Sequence, residues 1–362
     1  MRDFCILLSV EKEWKINLSL QGVCGCSAST NSAMRKKQRR NEEKTGKKGR
    51  DSVKKNTKKV KKKMYVKDNL QLLSLALPAI ILLGIFCYWP MFGVILAFKD
   101  YKVPKGIFGS PWVGLKNFAF FFQSQDAWRV TRNTLGLNFM FIIVGIICGV
   151  VFALIMFEVK KARHVKVYQT VSIIPSFLSW VAVGYIVYAM LDPSKGIMNQ
   201  VLGFFGAESI PWYSEPKYWP VILLISKIWQ SVGLGSIIYY AALMGVDAEL
   251  YEAAEIDGAN KLQKTWYVSI PQIVPIIIIM GILDIGKIFR ADFGLFYNVT
   301  RNVGALYPAT DVIDTYVFRA LMAQGNIGMA SAVGLFQSVV CFVTLMVTNL
   351  IVKKISPENA LF

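Results

Sequence analysis

Six long apolar stretches, separated by polar segments, dominate the sequence from residue 71 onward. A membrane hydrocarbon core of about 30 Å needs about 20 helical residues, and each stretch is about that long. Apolar residues run continuously within the stretches rather than alternating, which favours helices over strands. We therefore predict an all-α membrane protein with six transmembrane helices, since lipid admits only helices or closed barrels. The predicted spans are residues 71–98, 135–157, 167–191, 218–243, 271–288 and 329–352.

A polar, helix-prone loop joins the fourth span to the fifth. Asp247 is a plausible N-cap for a first short helix, and Gly258 ends that helix because glycine accepts a left-handed backbone. The first helix carries acidic residues and the second carries basic ones: Glu249, Glu252, Glu255 and Asp257, then Lys261 and Lys264. The pattern predicts a helix-turn-helix, of which the simplest interpretation is a connector lying on the membrane surface.

The composition supports an integral membrane protein, because 54% of the residues are hydrophobic and the mean hydropathy is +0.43. The formal net charge of +18 comes mainly from residues 34–67, which hold 17 Lys/Arg against 3 acidic residues. We interpret this segment as a basic cytoplasmic tail on anionic membrane lipids rather than a nucleic-acid-binding arm, since nothing downstream supports nucleic acid.

The sequence thus divides into residues 1–33, the basic tail 34–67 and a six-helix domain 68–362. Residues 1–33 fit neither a signal peptide nor a span, so we expect them to be a disordered or non-native extension ahead of a native start at Met34.

Positive charge flanking the spans sets the orientation. The basic tail, the loop 158–166 and Lys353 with Lys354 fall on one side, which we predict to be cytoplasmic together with both termini. The loop 99–133 conflicts with this because it contains six basic residues, but it is longer and less dense. The fourth-to-fifth loop then faces the cytoplasm. Four tryptophans, Trp112, Trp128, Trp212 and Trp219, are interpreted as interfacial belt residues on the outer side.

Catalytic and metal-binding patterns are missing from the sequence. His164 is the only histidine and lies among basic residues, and no glycine-rich loop is followed by Lys-Ser/Thr to cradle a phosphate. We therefore expect no enzyme activity, no metal site and no cofactor in this chain, with a membrane-embedded enzyme or sensor as the less favoured alternative.

Charged residues inside the predicted spans are the candidate binding groups, because charge is costly in lipid. Lys227 lies in the fourth span, while Asp284 and Lys287 lie three residues apart on one face of the fifth. Either the three side chains face a polar cavity between spans, or Asp284 and Lys287 pair within their helix and Lys227 extends toward an interface.

The loop carries a recognisable motif, Glu252-Ala-Ala-x-x-Asp257-Gly258-Ala259, followed by Val268-x-Ile270-Pro271. It resembles the signature cytoplasmic loop of permease subunits in binding-protein-dependent ABC importers, with Ile270 where leucine is usual. The resemblance covers residues 70–362, including Asn133-Thr134 and Pro175. Residues 311–319 and 332–338 resemble the carbohydrate branch, nearest to permeases of the lipoprotein-dependent oligo- and polysaccharide type.

This resemblance implies a subunit of a sugar importer in the cell membrane, without activity on its own. Its expected partners are a cytoplasmic ABC ATPase dimer that binds the ATP, a second, related permease subunit and an extracytoplasmic solute-binding lipoprotein. By the same resemblance, Glu252 and Asp257 belong to the polar ATPase-docking surface, Gly258 is the hinge, and Ala253, Ala254 and Ala259 allow close packing. A permease for another solute class remains the alternative.

Overall fold

The computed structural model describes residues 73–159 and 161–360, so both predicted N-terminal segments lie outside the described residues. Residues 73–87 belong to one compact unit, and residues 88–360 form a second, larger one. The described residues are helical apart from turns and a single bridge between Lys99 and Trp112, which confirms the all-helical prediction for this part of the chain.

The helices are numbered in chain order. They are α1 Leu73–Phe98, α2 Gly106–Gly109, α3 Lys116–Phe122, α4 Asp126–Phe157, α5 Ala162–Ile173, α6 Trp180–Leu191, α7 Ile197–Phe204, α8 Trp219–Met244, α9 Ala248–Ile256, α10 Lys261–Lys264, α11 Ile270–Ile285, α12 Tyr307–Thr310, α13 Ile313–Gln324 and α14 Ile327–Ile355.

Five helical stretches in the described residues are long and apolar enough to cross a membrane. They are Leu73–Phe98, Asp126–Phe157, Pro216–Met244, Lys261–Ile285 and Ile327–Ile355, and they contain or closely match the first, second, fourth, fifth and sixth predicted spans. At most 22% of the most apolar window of any of them is buried inside the chain. Their apolar faces therefore suit lipid or other membrane subunits rather than water.

The third predicted span is bent rather than straight. The helical stretches Ala162–Phe177 and Trp180–Leu191 meet at 95°, so the chain has six spans only if this pair counts as one. Pro175 has no backbone N–H to continue the first helix, and the chain tightens there into a 3₁₀ turn, Ile174–Phe177. Ser179 then adopts an extended backbone and accepts the amide of Ala182 at 3.3 Å, which starts a new helix.

Helices α4 and α8 form the most extensive contact of the larger unit; α5, α11 and α13 pack against them, and α6 packs against the segment Leu295–Val299. Gly233 of α8 permits one close approach, because a Cβ at this position would overlap the backbone carbonyl of Ser172. Trp219 and Leu223 are fully buried in the core against Leu295 and Val299. The belt interpretation is thus wrong for Trp219, whose indole N–H donates to the Trp212 carbonyl at 2.7 Å, whereas Trp112 and Trp128 are exposed.

Candidate functional site

The polar loop after the fourth span forms one short helix, α9, and then α10, which continues through the π-helical segment Thr265–Ser269 into α11 as one helical stretch. The Asp247 carboxylate caps α9 by accepting the Glu249 amide at 3.1 Å. Asn260 and Gln263 form a reciprocal capping box at the start of α10, with N–H···O distances of 2.8 and 2.9 Å. Each cap satisfies backbone donors that a helix start otherwise leaves free, so the loop has a defined conformation.

Gly258 adopts a left-handed backbone, with φ of +78°, at the junction of the two helices. Its amide donates to the Glu255 carbonyl at 3.1 Å, and the Ala259 amide donates to the Ala254 carbonyl at 2.9 Å. These two bonds make a complete Schellman termination. No other group lies within 4 Å of the position that a Cβ would take. Glycine is therefore favoured here by the left-handed backbone and not by steric crowding.

The outer surface of the loop combines acidic and apolar groups. Glu252, Ala253, Asp257 and Gly258 are exposed, while Ala254 and Ala259 are half-buried. Ile256, Leu262 and Trp266 are 87%, 79% and 66% exposed. Leu262 and Trp266 are four residues apart and could contact each other on one helical face, but both are exposed. With Ile256 they form an exposed apolar patch of the kind that protein partners cover.

Aromatic and hydrogen-bond contacts fix α9 to two spans. The Tyr251 ring lies 5.7 Å from the ring of Phe157 at the end of α4, and its hydroxyl is 3.0 Å from that of Ser269, directly before α11. Lys264 pairs with Glu255 at 3.3 Å, and Lys261 with Glu158 at 3.5 Å. Because exposed ion pairs contribute little, Tyr251 is the stronger mechanical link between α9 and the spans.

A cavity of about 330 Å³ lies between α4, α8 and α11. Lys227, Asp284 and Lys287 all line it, so the structure brings together the three charged residues found in the predicted spans. Arg290 and Asp292, which follow the fifth span, also face this cavity. Helix α11 ends at Ile285, so Lys287 lies in the turn that follows it and not on the same helix as Asp284. Among the described residues, neither lysine comes within 4.0 Å of the Asp284 carboxylate, so the ion pair between Asp284 and Lys287 does not form.

The partner of Lys227 is Asp292, a residue that reasoning from the spans did not find. The lysine Nζ is 2.9 Å from Asp292 Oδ2, and the Trp180 indole N–H donates to the same oxygen at 3.0 Å. Lys227 Nζ also lies 5.4 Å from the centre of the Trp180 ring. The bent third span, α8 and the segment after α11 therefore meet at one charged cluster beside the cavity.

A second polar cluster surrounds the buried carboxylate of Asp311. This group contacts Arg319 at 2.6 Å and Arg129 at 3.4 Å, and it accepts the Thr315 hydroxyl at 2.9 Å. The motif segments of the sequence meet here: the Asn133 amide donates to the Asp311 carbonyl at 3.1 Å, and Thr134 Oγ1 accepts the Ile313 amide at 3.0 Å. The start of α4 is thereby locked to α13.

Asp314 lies in α13, outside the candidate spans. Burial raises the pKa of its carboxyl group, although the group accepts the Ala291 amide at 2.8 Å and the Gln337 side-chain amide at 3.2 Å. The segment after α11 is thus tied to α13 and α14 through one carboxylate.

Comparison with known proteins gives a consistent result. Residues 142–357 match the family described as "Binding-protein-dependent transport system inner membrane component". The polygalacturonan/rhamnogalacturonan transport system permease protein YteP of Bacillus subtilis is 34% identical over 78% of this chain and 88% of its own length. The trehalose/maltose transport system permease protein MalF of Thermococcus litoralis is 26% identical over 68% of this chain and 80% of its own. A crystal structure of a bacterial ABC transporter that imports the acidic polysaccharide alginate is similar with a TM-score of 0.73 and 32% identity, covering 80% of this chain and 98% of that chain.

Proposed function

The chain belongs to the family of inner membrane components of binding-protein-dependent transport systems, and from this membership we propose that it is the permease subunit of an ABC importer for a sugar or oligosaccharide. The family consists of transport subunits, so the expectation of a non-enzymatic, multi-pass membrane protein is confirmed. The permease forms part of the translocation path, and partner proteins provide substrate capture and energy.

The observation that carries the energy-coupling part of this proposal is the helix-turn-helix around Gly258. The loop exposes Glu252 and Asp257 beside Ile256 and Leu262, a mixed surface that suits docking into a cleft of a cytoplasmic ATPase. The chain contains no glycine-rich phosphate loop of its own, so the ATP belongs to the ATPase dimer. Docking at this loop requires it, and with it both termini, to face the cytoplasm.

Alternating access then follows from a two-state bundle. Closure of the ATPase dimer displaces α9, and the Tyr251 contacts transmit the displacement to α4 and α11. Those two helices form walls of the cavity that holds Asp284 and Lys287. Substrate meets these residues, and the Lys227–Asp292 pair beside them, as the cavity changes its access from one side to the other.

Relatives support a sugar as the solute and a three-part assembly. The polygalacturonan/rhamnogalacturonan and trehalose/maltose permeases are named for sugars. A second structure of the alginate transporter includes a pentasaccharide-bound periplasmic protein. By analogy, an extracytoplasmic binding lipoprotein delivers the sugar to this chain and a second, related permease subunit.

Reconstitution of the complete importer tests this proposal. The two permease subunits and the ATPase dimer are placed in proteoliposomes, and uptake of radiolabelled oligosaccharides is measured with and without binding protein and ATP. Uptake that requires both components is expected. Uptake of a peptide or polyamine in place of any sugar would refute the sugar assignment, and failure of the chain to co-purify with an ATPase would refute the importer assignment.

A further inference from the structure

Arg301 and Asn302 adopt a left-handed backbone in the segment between α11 and α12, with φ of +53° and +51°. Residues with a side chain avoid this conformation at a cost of about 1–2 kcal/mol each, so neighbouring contacts must hold it. Asn302 Oδ1 accepts the Tyr307 hydroxyl at 3.1 Å and an Arg319 N–H at 3.4 Å. Arg319 in turn contacts the buried Asp311, so the turn that presents Arg301 is fixed to the second polar cluster.

The side chain of Arg301 lies on aromatic rings of α6. Its guanidinium carbon is 4.1 Å from the centre of the Tyr188 ring and 5.9 Å from that of Tyr185, both within range of cation–π attraction. Arg301 and Tyr185 also line a second cavity, of about 200 Å³, together with Tyr297. Gly184 allows α6 to approach the segment that contains Asn298 closely, because a Cβ at position 184 would lie 2.6 Å from the Asn298 carbonyl oxygen.

The positive charge of Arg301 is not neutralised within the described residues. Its five N–H donors make no hydrogen bond there, and no carboxylate lies within 4.0 Å. Arg319 differs from Arg301 in this respect. Its guanidinium carbon also lies close to a tyrosine ring, 4.0 Å from the centre of Tyr307, but its N–H groups donate to Asp311 and Asn302. The Tyr188 ring lies next to the Arg301 guanidinium without using its N–H donors, which can therefore bind a carboxylate through two parallel hydrogen bonds.

The first cavity has the same bias toward anions. Three cationic side chains and two carboxylates line it, so the formal net charge of its lining is +1. Asp292 neutralises Lys227, and Arg290 donates to the neutral Ser338 hydroxyl at 3.0 Å. An anionic solute therefore meets unpaired cations at both cavities.

We infer that Arg301, with Tyr185, Tyr188 and Tyr297, recognises the carboxylate of a uronic acid unit, so that the importer selects acidic oligosaccharides over neutral ones. This inference rests on the proposed function. Tyrosine faces pack against the C–H faces of a sugar ring while the guanidinium edge binds its carboxylate. The aromatic walls and the concave shape favour a sugar over an acidic side chain of a docked protein.

Uptake by the complete importer in proteoliposomes tests the inference with four probes. Trigalacturonate and trimannuronate carry carboxylates, and maltotriose and arabinotriose do not. The wild type is expected to take up at least one uronate probe in preference to both neutral probes. Arg301→Gln should lower uronate uptake by about tenfold or more, the usual worth of a charge-assisted hydrogen bond, and Arg301→Lys should fall between the two.

Lys217→Gln is the matched control, since it removes a positive charge that is paired with Glu215 at 3.6 Å outside both cavities. Its uronate uptake should equal that of the wild type. Three results would overturn the inference: preferred uptake of a neutral probe, an equal loss for neutral and uronate probes in Arg301→Gln, or weaker binding of the loaded binding protein by that variant. A wild type that imports another sugar but neither uronate probe would also overturn the inference, whereas import of a peptide or polyamine in place of any sugar would reject the proposed function on which it rests.

Discussion

Substitution of Gly258 tests whether the helix-turn-helix transmits energy. Its φ of +78° requires a left-handed residue, and the absence of neighbours within 4 Å of a Cβ separates backbone strain from steric overlap. Gly258→Ala therefore adds only the left-handed penalty of about 1–2 kcal/mol. Since 1.4 kcal/mol corresponds to a factor of ten, the docking-competent loop should become about 5- to 30-fold less populated.

Gly258→Asn and Gly258→Asp separate strain from charge. Both residues tolerate the left-handed region better than alanine, so their backbone cost is smaller. They have nearly the same shape, but aspartate adds a negative charge to a surface that already carries Glu255 and Asp257. Enclosing an unpaired charge at the interface costs several kcal/mol, enough to reduce coupling more than a hundredfold. We expect activities in the order Gly, Asn, Ala and Asp.

The assay is ATP hydrolysis by the reconstituted importer, stimulated by sugar-loaded binding protein, with membrane insertion checked by the amount of subunit recovered. Gly258→Asp should abolish stimulation and leave insertion intact. Gly206→Asp is the matched control, because Gly206 has φ of +75° and equally open space but lies outside the loop. Normal transport by Gly258→Asp would refute the hinge role, and an equal loss in Gly206→Asp would trace the effect to general strain.

Three further predictions concern the cavity and α13. Asp284→Asn should lower transport while the ATPase still co-purifies, because the carboxylate lines the cavity; an unchanged uptake rate would remove Asp284 from the path. Asp292→Asn should lower the melting temperature of the detergent-solubilised subunit, because it leaves the Lys227 charge without its partner. The double variant Lys227→Met, Asp292→Leu removes both charges and should recover the melting temperature. A double variant less stable than Asp292→Asn would contradict this explanation. Asp314 has a raised pKa, so the folded protein holds its proton more tightly and the stability contribution falls as pH rises above the unfolded value of 3.8. Asp314→Asn should flatten that slope in melting curves between pH 4 and about pH 7, and an unchanged slope would exclude Asp314 as its source.

Reasoning from the sequence predicted helix type and the positions of five spans because apolar length alone determines both. It also placed the turn at Gly258, since few residues other than glycine accept that backbone. Hydropathy averages over a window and does not register direction. The 95° bend of the third span therefore stayed hidden, although Pro175, the residue that interrupts its backbone bonding, was visible.

Partners from different helices were harder to predict. Helical spacing relates Asp284 to Lys287 because both lie in the predicted fifth span, although α11 ends at Ile285, and it gives no distance from Lys227 on α8 to Asp292 beyond the span. The signal that could have indicated Asp292 is charge balance, since a lysine inside a span needs an acid nearby. Arg301 gave no signal at all, because its left-handed backbone and its stacking on Tyr188 exist only in the folded chain.

The geometry of α11 links the proposed docking loop to the cavity directly. Ser269, which contacts Tyr251, and Asp284 are 15 residues apart, or about 22 Å along a helix. Pro275 lies between them without ending α11, so the backbone between Ser269 and Asp284 is continuously helical. Helix α4 makes a similar connection, because Phe157 at its end lies against Tyr251 and Asn138, within the same helix, lines the cavity. A displacement of α9 therefore moves two cavity walls at once, which is the coupling that an importer driven by a partner's ATP requires.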